Sequence, residues 1–474
     1  MKKKTVQIIS KIIGIIFILT LSLFTYFVFV LDIIPYKYLI TFYTLFILTG
    51  SILLFNIFSK KKRKVRNKSA FVLGLMTIML IVANVYLNNT YSFLLSSLVG
   101  KHEILNYSVV VLKGEYKTLK ALNNKDLAYL EDNYQEEVST YLLKKIKYNE
   151  KLYDNTNSLG EDLLAKKVKA IVIEEGHLSL LKEEIEEFRE KIVVIHRFKV
   201  KVKSFKENPD VNVATDSFIV YISGIDNYGN ITTTRGRSDV NIIAIVNPKT
   251  HKILLVNTPR DYYIQLSGTK GPKDKLTHAG IYGIGMSVKT LEEFYNIDID
   301  YYLRVNFNTL VRIVDLIGGI EIVSDHSFVP WTNKKITIKK GLNKMNGEMA
   351  LAYSRERYAY VTGDHQRGAN QQQVITAIIN KLGTSRVLLN KYNSILNSLN
   401  GTFQTSMDMK DITSLIRKQL ESMPKWEVES IAVEGYNHFD ITYSMGNRVL
   451  YVMLPHEESI RNAKNRMKEV YEEK

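Results

Sequence analysis

The sequence predicts an α/β protein with N-terminal transmembrane helices, a small α/β accessory domain, and a larger domain built on a central mixed β-sheet flanked by helices. Three observations predict this class. The 474-residue chain begins with three long apolar runs, continues with short β-branched runs between charged stretches, and ends with strand-like and helix-like segments in alternation. We place the membrane region at residues 1–97, the accessory domain at 98–214 and the larger domain at 215–474.

The apolar runs span about residues 12–31, 38–57 and 70–87 and carry almost no charge. At a rise of ~1.5 Å per residue, helices of this length cross a hydrocarbon core of ~30 Å. The runs therefore predict three transmembrane helices. A cleaved signal peptide is the alternative for the first run. That run is too long for a signal sequence, however, and no small-residue cleavage pattern follows it.

The net charge of +16 is concentrated beside the apolar runs. Twelve Lys and Arg residues before Ala70 face only Asp32, which gives +11 of the total. The clusters at residues 2–4 and 60–68 belong on the cytoplasmic side by the positive-inside rule, so the chain after about Asn88 is expected outside the cell. The protein is thus expected in the cell membrane, crossing it several times, and nucleic acid is excluded as a partner.

The chain contains no cysteine, which excludes disulfides, thiol catalysis and Cys-ligated zinc. In the accessory region, the runs "YSVVVL", "VKAIVI" and "KIVVIHRFKV" predict strands, and "HLSLLKEEIEEFREK" predicts a charged helix. The charged side chains there are typical of solvated faces, so we expect a spacer or docking role. The tract "KSFKENPDVNVATD" marks the boundary to the next domain.

In the larger domain, "SFIVYISGID", "SDVNIIAIVN" and "KILLVNTPRD" predict three strands, with the turn "PKTH" between the last two. Polar side chains cluster at the strand ends. The period of two in an extended chain places Arg237, Asp239 and Asn241 on one face. Arg260 follows Pro259 at the carboxyl end of the next strand, where open α/β sheets usually bind ligands.

The stretch "LAYSRERYAYVTGDHQRGANQQQVITAIINKL" predicts a loop followed by a helix that starts near Asp364. One stripe of this helix, at spacings of three and four, contains Arg367, Gln371, Ile375, Ile378 and Leu382. The later members are apolar and should face the core. Arg367 should then point inward as well, and an inward arginine requires an anionic partner.

Six arginines lie at element ends or in loops of this domain: Arg235, Arg237, Arg260, Arg355, Arg357 and Arg367. Five acids lie near them in sequence: Asp226, Asp239, Asp261, Glu356 and Asp364. Internal salt bridges are one interpretation, and a bound polyanion is the other. We favour the polyanion, because planar guanidinium groups match phosphate oxygens and a helix N-terminus adds positive charge. A Mg²⁺ ion bridging phosphate oxygens and Asp side chains would accommodate the carboxylates.

Three blocks, "GRSDVNIIAIVNPKTHKILLVNTPRDYYI", "KLTHAGIYGIG" and "YSRERYAYVTGDHQRGANQQQVI", resemble the LytR-CpsA-Psr family of Gram-positive cell-envelope proteins. The resemblance covers about residues 216–382, and its blocks occur in the family's order. The membrane helices and accessory domain resemble the streptococcal capsule-locus members. The resemblance implies a Mg²⁺-dependent phosphotransferase, with Mn²⁺ as an alternative metal. Such an enzyme moves a glycan from a polyprenyl-pyrophosphate carrier onto peptidoglycan through a phosphodiester.

The resemblance also implies roles for individual residues. Catalytic roles fall on Asp239, Arg237 and Arg367, and metal binding falls on Asp239 and Asp226. The residues implied to bind pyrophosphate are Arg237, Arg260, Arg355, Arg357, Arg367 and Gln371. Lys275 stands in a family motif but receives no role, and Arg235 is interpreted as a surface residue.

In the implied chemistry, Asp239 holds the metal and helps to deprotonate the attacking muramic-acid hydroxyl, while an apolar groove takes the lipid. The expected partners are the lipid-linked glycan, with capsular polysaccharide favoured over teichoic acid, peptidoglycan, the membrane and capsule-synthesis proteins. Two alternatives stay open: a non-catalytic regulator that binds the lipid-linked glycan, and a hydrolase of the same pyrophosphate.

Two further features of the sequence receive structural interpretations. Gly280, Gly283 and Gly285 are interpreted as a turn, since neither a preceding strand nor a Walker lysine accompanies them. His278 and His365 are proton-carrier candidates, but lone histidines are more often satisfied hydrogen-bonding groups.

Overall fold

The architecture is described from a computed structural model of the chain. The structure describes residues 2–59, 61–131, 134–207, 209–225, 231, 235–360, 363–384 and 401–474. Asp226, one of the two predicted metal ligands, lies outside these residues, and so do the side chains of Asp364 and His365.

Three long helices begin the chain: α1 (Lys2–Leu31), α2 (Tyr36–Phe58) and α3 (Arg63–Ser97). All three are long and apolar enough to cross a membrane, and each extends beyond the run that predicted it. Phe17 and Phe24 of α1 pack against Leu73 and Leu80 of α3. The outward-facing side chains of the bundle are mostly large and apolar, as expected of a surface in contact with lipid.

The accessory region forms a five-stranded sheet in the order β3-β2-β4-β1-β5. Its strands are β1 (His102–Leu112), β2 (Lys125–Leu130), β3 (Tyr148–Tyr153), β4 (Ala170–Glu174) and β5 (Ile192–Lys203). Its helices are α4 (Gln135–Leu143), α5 (Thr156–Leu164), α6 (Glu175–Glu184) and α7 (Glu186–Lys191). The three predicted strands are confirmed as β1, β4 and β5.

The charged helical stretch predicted from "HLSLLKEEIEEFREK" is confirmed, and the segment forms two helices, α6 and α7. Ile185 stands between them in an extended conformation. Ile185 and Phe188 both belong to the apolar cluster beneath the sheet, together with Leu178 and Leu181 of α6.

The larger domain contains a six-stranded mixed sheet in the order β14-β11-β6-β7-β8-β15. Its strands are β6 (Phe218–Ile225), β7 (Ser238–Asn247), β8 (Lys252–Asn257), β11 (Tyr301–Asn306), β14 (Phe403–Thr405) and β15 (Glu427–Ala432). β6 runs parallel to β11 and antiparallel to β7, and β8 runs antiparallel to β7 and parallel to β15. The predicted α/β class with a mixed sheet is confirmed.

Three two-stranded sheets flank this sheet: β9 (Tyr263–Ile264) with β10 (Asp274–Lys275), β12 (Ile320–Ser324) with β13 (Gly341–Met345), and β16 (Gly435–Thr442) with β17 (Gly446–Pro455). The helices of the domain are α8 (Leu276–Tyr282), α9 (Ile284–Tyr295), α10 (Phe307–Leu316), α11 (Gly347–Arg355), α12 (Asp364–Thr384), α13 (Met409–Ser422) and α14 (Glu457–Glu472). They cover both faces of the sheet. Tyr221 and Ile243 on one face pack with Leu291 of α9, whereas Ile242 on the other face packs with Ile375 of α12.

The turn predicted at Gly280, Gly283 and Gly285 is wrong, because Gly280 lies in α8 and Gly285 in α9. Only Gly283 stands between the helices, with a positive φ of 119° that favours glycine. A Cβ atom at Gly280 would stand 2.6 Å from the carbonyl oxygen of Gly236. The glycine there allows α8 to pack closely against the chain that leads into β7.

Arg235 is a buried residue that joins the two domains, so its interpretation as a surface residue is wrong. Its side chain is 7% exposed and donates from Nε and Nη2 to the two carboxylate oxygens of Glu103, at 3.1 and 2.8 Å. Nη1 donates to the carbonyl oxygen of Tyr282 at 2.8 Å. Burial raises the pKa of Glu103, but the charge and hydrogen bonds of Arg235 and the charge of Arg304 together outweigh burial, and the pKa lies below its ordinary value.

We predict that Glu103→Gln destabilises the protein, because the buried Arg235 guanidinium loses its anionic partner. Breaking a buried ion pair in this way costs about 3 kcal/mol or more. The loss should appear as a drop in Tm of the detergent-solubilised full chain. Adding Arg235→Gln should cost less than the sum of the two single changes. An unchanged Tm in Glu103→Gln would show that the pair contributes no stability.

Candidate functional site

A cavity of about 630 Å³ opens at one edge of the six-stranded sheet. β6 and β11 end at this edge, and β7 begins there because it runs antiparallel to β6. β8, antiparallel to β7, ends there as well. Helices α10, α11 and α12 contribute the remaining walls. Strand ends carry loops and free backbone groups, so this edge is where an open α/β sheet offers a binding site.

The structure brings the sequence-predicted arginines together in this cavity. Five of the six line it, together with Asp239 and Gln371, and the arginines are Arg237, Arg260, Arg355, Arg357 and Arg367. They reach it from separate parts of the chain, namely the start of β7, the end of β8, the end of α11 and the first turns of α12. The sixth, Arg235, is instead paired with Glu103.

Asp239 sits at an irregularity in the pairing of β6 with β7. Gly224 is opposite Val240 and Ile225 is opposite Ser238, so Asp239 is the extra residue of a bulge. Its Oδ2 atom accepts a hydrogen bond from Arg260 Nη1 at 2.6 Å, and its Oδ1 atom accepts one from Thr277 at 3.0 Å. Both carboxylate oxygens are therefore held in place.

The pKa of Asp239 reports the positive surroundings. Burial raises this pKa. The charges of Arg260, Arg237 and Arg367 and the hydrogen bond from Thr277 together lower it by more, so the pKa lies below its ordinary value. Asp239 is thus a carboxylate at neutral pH and a weak base.

The period of two predicts that Asn241 shares a face with Asp239, and this prediction is wrong. The bulge explains the difference. Asp239 is itself the extra residue, so its side chain falls outside the alternation that Val240 and Asn241 keep. Asn241 is 1% exposed, accepts a hydrogen bond from the hydroxyl of Tyr221 at 2.6 Å, and belongs to the opposite face of the sheet.

The remaining arginines contact aromatic and acidic groups around the cavity. The guanidinium carbon of Arg355 lies 4.1 Å from the ring centre of Phe307, a cation–π contact. Arg260 Nε lies 3.6 Å from Asp261, which also pairs with Lys275 at 3.3 Å. Lys275 thus pairs with Asp261, the acid next to Arg260, but does not itself line the cavity.

Helix α12 begins at Asp364, as predicted, and directs its first turns at the cavity. A Cβ atom at Gly368 would stand 2.2 Å from the side-chain nitrogen of Asn257, so the helix contacts the end of β8 where it carries no side chain. Arg367 is 8% exposed, and Gln371 and Ile375 line the cavity beyond it. The helix N-terminus adds a partial positive charge to the same space.

The predicted stripe of α12 is wrong at its end, since Leu382 is 37% exposed. Val374, three residues after Gln371, is buried with the core instead. Leu382 stands in the last turn of the helix, which ends at Thr384, whereas Ile378 one turn earlier still packs against the core.

Among the predicted acids, only Asp239 and Asp261 pair with a cavity arginine in the part of the chain that the structure describes. Glu356 is 1% exposed and accepts hydrogen bonds from backbone N–H groups. His278 is a satisfied hydrogen-bonding group, held by Asp274 at 2.7 Å and Ser444 at 2.8 Å. It is buried outside the cavity lining.

The structure adds one acid to the site that the sequence did not indicate. Glu183, at the end of α6 in the accessory region, lines the cavity and accepts a hydrogen bond from Arg237 Nη1 at 2.6 Å. In the sequence it belongs to a charged helix typical of a solvated face, so only the packing of the two domains reveals it. Thr277, Phe307, Trp331 and Tyr358 were also missed, since single polar or aromatic residues carry no spacing signal.

A divalent cation fits this site on one carboxylate. Within the described residues, no group of three His, Asp or Glu side chains is arranged to hold a metal by itself. Mg²⁺ commonly binds through one or two carboxylates together with substrate phosphate oxygens. A carboxylate offers about four lone-pair directions, so Asp239 retains acceptor capacity beside its bonds to Arg260 and Thr277.

The comparisons with known proteins follow this geometry. The model of the LytR_cpsA_psr family matches residues 187–469. The chain belongs to the LytR-CpsA-Psr family. The match begins before the boundary predicted at residue 215; the domain boundaries themselves stay predictions.

The chain is similar to proteins whose names state an activity, and to solved structures. The polyisoprenyl-teichoic acid–peptidoglycan teichoic acid transferase TagU of Bacillus cereus is 32% identical over 52% of this chain and 78% of the relative. TagU of Bacillus licheniformis is 35% identical over 45% of this chain and 68% of the relative. The crystal structure of TagV from B. subtilis matches with a TM-score of 0.45 and 25% identity, covering 54% of this chain and 98% of TagV.

We predict that Glu183→Gln strengthens anion binding, because it removes an acid that competes for Arg237. The side chain of Glu183 is 50% exposed, and exposed ion pairs contribute ~0.2–1 kcal/mol, so inorganic pyrophosphate should bind about 1.4- to 5-fold more tightly. Isothermal titration calorimetry at low ionic strength measures this change.

Glu190→Gln is the matched control, since it alters the same charge at an exposed position of α7. Weaker binding in Glu183→Gln than in this control would show that Glu183 orients Arg237 for the anion instead of competing with it.

Proposed function

We propose that this protein is a membrane-anchored phosphotransferase that moves a glycopolymer from a polyprenyl-pyrophosphate carrier onto peptidoglycan. The observation that carries the proposal is the convergence of five arginines and Asp239 in one cavity whose other lining is largely apolar. Membership in the LytR-CpsA-Psr family and the name of the TagU relatives support the same reaction class.

The arginines suit a pyrophosphate better than a single anionic group. Each guanidinium offers planar, paired N–H donors to phosphate oxygens, and five of them surround one cavity. Two acids, Glu183 and Asp239, share the described lining with them. A ligand with two phosphoryl groups distributes its charge over several of these arginines at once.

The apolar half of the lining suits the polyprenyl chain. Side chains from the sheet and from α10, α11 and α12 contribute it: Ile222, Ile225, Val240, Val305, Leu310, Leu351, Val374 and Ile375. Burying prenyl carbons against these groups gives ~25 cal/mol for each Å² of apolar surface removed from water. The apolar groove expected between sheet and helices is thus matched by the lining of this cavity.

In the proposed reaction, a peptidoglycan hydroxyl attacks the phosphorus that carries the glycan. A new P–O bond forms to the acceptor, the bond to the bridging oxygen breaks, and the hydroxyl proton ends on the released polyprenyl phosphate. The arginines stabilise the charge that builds on the phosphoryl oxygens. Because the pKa of Asp239 is lowered, we assign it to orienting Arg260 and binding a cation, and not to accepting the proton.

We propose Mg²⁺ as the cofactor, with Mn²⁺ as the alternative. Asp239 would hold it, and the sequence adds Asp226, which lies outside the described residues. When bound, the ion supplies further charge neutralisation at the pyrophosphate oxygens.

The proposed topology places the segment after α3 outside the cell, with the chain crossing the membrane three times. Arg417 of α13 pairs with Asp32, and Lys37 donates to the carbonyl oxygen of Glu421. Both contacts join the α1–α2 connection to the larger domain, which requires the two to share one side of the membrane. The basic residues at 2–4 and 60–68 would then lie together on the other side.

Capsular polysaccharide is the glycopolymer we propose, and capsule-synthesis proteins are the proposed partners beside the membrane and peptidoglycan. The three membrane helices and the accessory domain support this choice through their resemblance to capsule-locus members. The TagU relatives are named for teichoic acid, so teichoic acid is the polymer to test against it.

We predict that the full chain in detergent transfers radiolabelled glycan from a polyprenyl-pyrophosphate donor to peptidoglycan, and that Arg367→Ala lowers the rate about 100-fold or more. One lost charge-stabilising contact typically has an effect of that size. Arg461→Ala, an exposed arginine of α14, is the control and should leave the rate unchanged. Release of glycan without attachment would favour the hydrolase, and binding without turnover would favour the regulator. Capsular and teichoic donors are compared in parallel.

We also predict that removing divalent cations abolishes transfer and that added Mg²⁺ restores it. Asp239→Asn keeps the size of the side chain but removes the charge, so it should raise the Mg²⁺ concentration needed for half-maximal activity. Unaltered transfer in EDTA would remove the metal from the mechanism.

A further inference from the structure

The rim of the arginine cavity carries two large aromatic side chains that phosphate binding does not require. Trp331 is 61% exposed and Tyr358 is 62% exposed, and both line the cavity. Their ring centres are 5.3 Å apart, with the planes tilted by 54°. Aromatic side chains of this size are usually buried, so two adjacent exposed rings beside a ligand cavity indicate a surface kept open for contact.

The backbone beneath these rings is fixed by one buried acid. Glu356, 1% exposed, accepts a hydrogen bond from the backbone N–H of Trp331 through Oε2. Through Oε1 it accepts hydrogen bonds from the backbone N–H groups of Arg357, Tyr358 and Ala359, at 3.0, 2.7 and 2.9 Å. A single carboxylate thereby joins two loops that are far apart in the chain, and the rings need little ordering when a ligand arrives.

Each ring also has a cation over it. Lys334 Nζ lies 4.6 Å from the ring centre of Trp331, and the guanidinium carbon of Arg357 lies 4.7 Å from that of Tyr358. Arg357 Nη2 donates to the Tyr358 hydroxyl at 2.6 Å. A phosphoryl group held by Arg357 would therefore place whatever is esterified to it next to Tyr358.

We infer that Trp331 and Tyr358 form a saccharide subsite, positioned by Glu356, that binds the first sugar of the lipid-linked donor. The inference rests on the proposed function, because it takes Arg357 as a phosphate ligand. A sugar ring presents an apolar C–H face that packs on an aromatic face, and it presents hydroxyl groups to the flanking cations. The prenyl chain has no hydroxyl groups for those cations, and the apolar lining deeper in the cavity is the surface that matches it.

The test measures the affinity of the detergent-solubilised full chain for two probes, farnesyl pyrophosphate and its glucosyl ester, farnesyl-pyrophosphoryl-glucose. The unchanged protein should bind the sugar-bearing probe more tightly. Aromatic pairs contribute ~0.5–1.5 kcal/mol, and a sugar–ring contact of the same size means that Trp331→Ala or Tyr358→Ala should weaken that probe's binding by about 2- to 13-fold. Farnesyl pyrophosphate lacks the sugar and loses no such contact, so its affinity should change by less than about 2-fold.

Matched variants separate ring contact from general damage. Trp331→Phe keeps an aromatic face and should recover most of the sugar-dependent affinity, whereas Phe439→Ala removes an exposed ring outside the cavity lining and should have no effect. Glu356→Gln should lower the ratio of the two affinities. General loss of stability would not change this ratio, because both probes share the pyrophosphate.

Three results would overturn the inference. Equal affinity of the unchanged protein for both probes would leave the pyrophosphate site standing without a sugar subsite. Equal weakening of both probes in Trp331→Ala would assign the rings to the prenyl chain or to the membrane surface. Failure of the unchanged protein to bind either probe would remove the proposed function itself, and the subsite with it.

Discussion

The ion pair between Arg260 and Asp239 is the contact on which the cavity depends. Several guanidinium groups that face one space repel one another, and the repulsion is strongest where little water screens it. Asp239 stands inside this positive field, with 14% of its side chain exposed, and is held from opposite sides by Arg260 and Thr277. The bulge in β7 directs the carboxylate into the cavity, which regular strand alternation would not do.

The chain that leads into β7 also connects the accessory region to the site. Arg235 pairs with Glu103 of β1, and Arg237, two residues later, pairs with Glu183 of α6. One of these pairs is buried and the other is half open to solvent. The buried pair joins β1 to the chain before β7, whereas the open pair is of the exposed kind that contributes little stability. A shift of the accessory region would therefore move Glu183, the acid that contacts Arg237.

Contacts on the membrane side constrain the same domain. α3 ends at Ser97, and the next residue, Leu98, forms a bridge with Thr405 of β14 at the edge of the six-stranded sheet. Phe93 of α3 packs against Phe403, and Arg417 of α13 pairs with Asp32. A domain held at these points has limited freedom to rotate against the helices. Such a tether suits a substrate whose lipid is fixed in a bilayer.

The sequence by itself determined the features that depend on local pattern. The apolar runs predicted three helices long enough to cross a membrane, the β-branched runs predicted β1, β4 and β5 through β8, and the order of the motif blocks predicted the family. Six arginines at strand and helix ends could be picked out from the sequence, and the resemblance to the family reduced them to Arg237, Arg260, Arg355, Arg357 and Arg367. Their chemical roles stay predictions.

Tertiary structure decided everything that depends on distant parts of the chain meeting. Asn241 left the predicted face because a bulge is a property of strand pairing, and Arg235 became a domain link because its partner lies more than a hundred residues earlier. Glu183 entered the cavity from another domain, and Glu356 joined two separate loops under a pair of aromatic rings. The local sequence pattern predicts whether a segment forms a helix or a strand. The neighbours of a side chain are set by long-range packing, which local periodicity does not report.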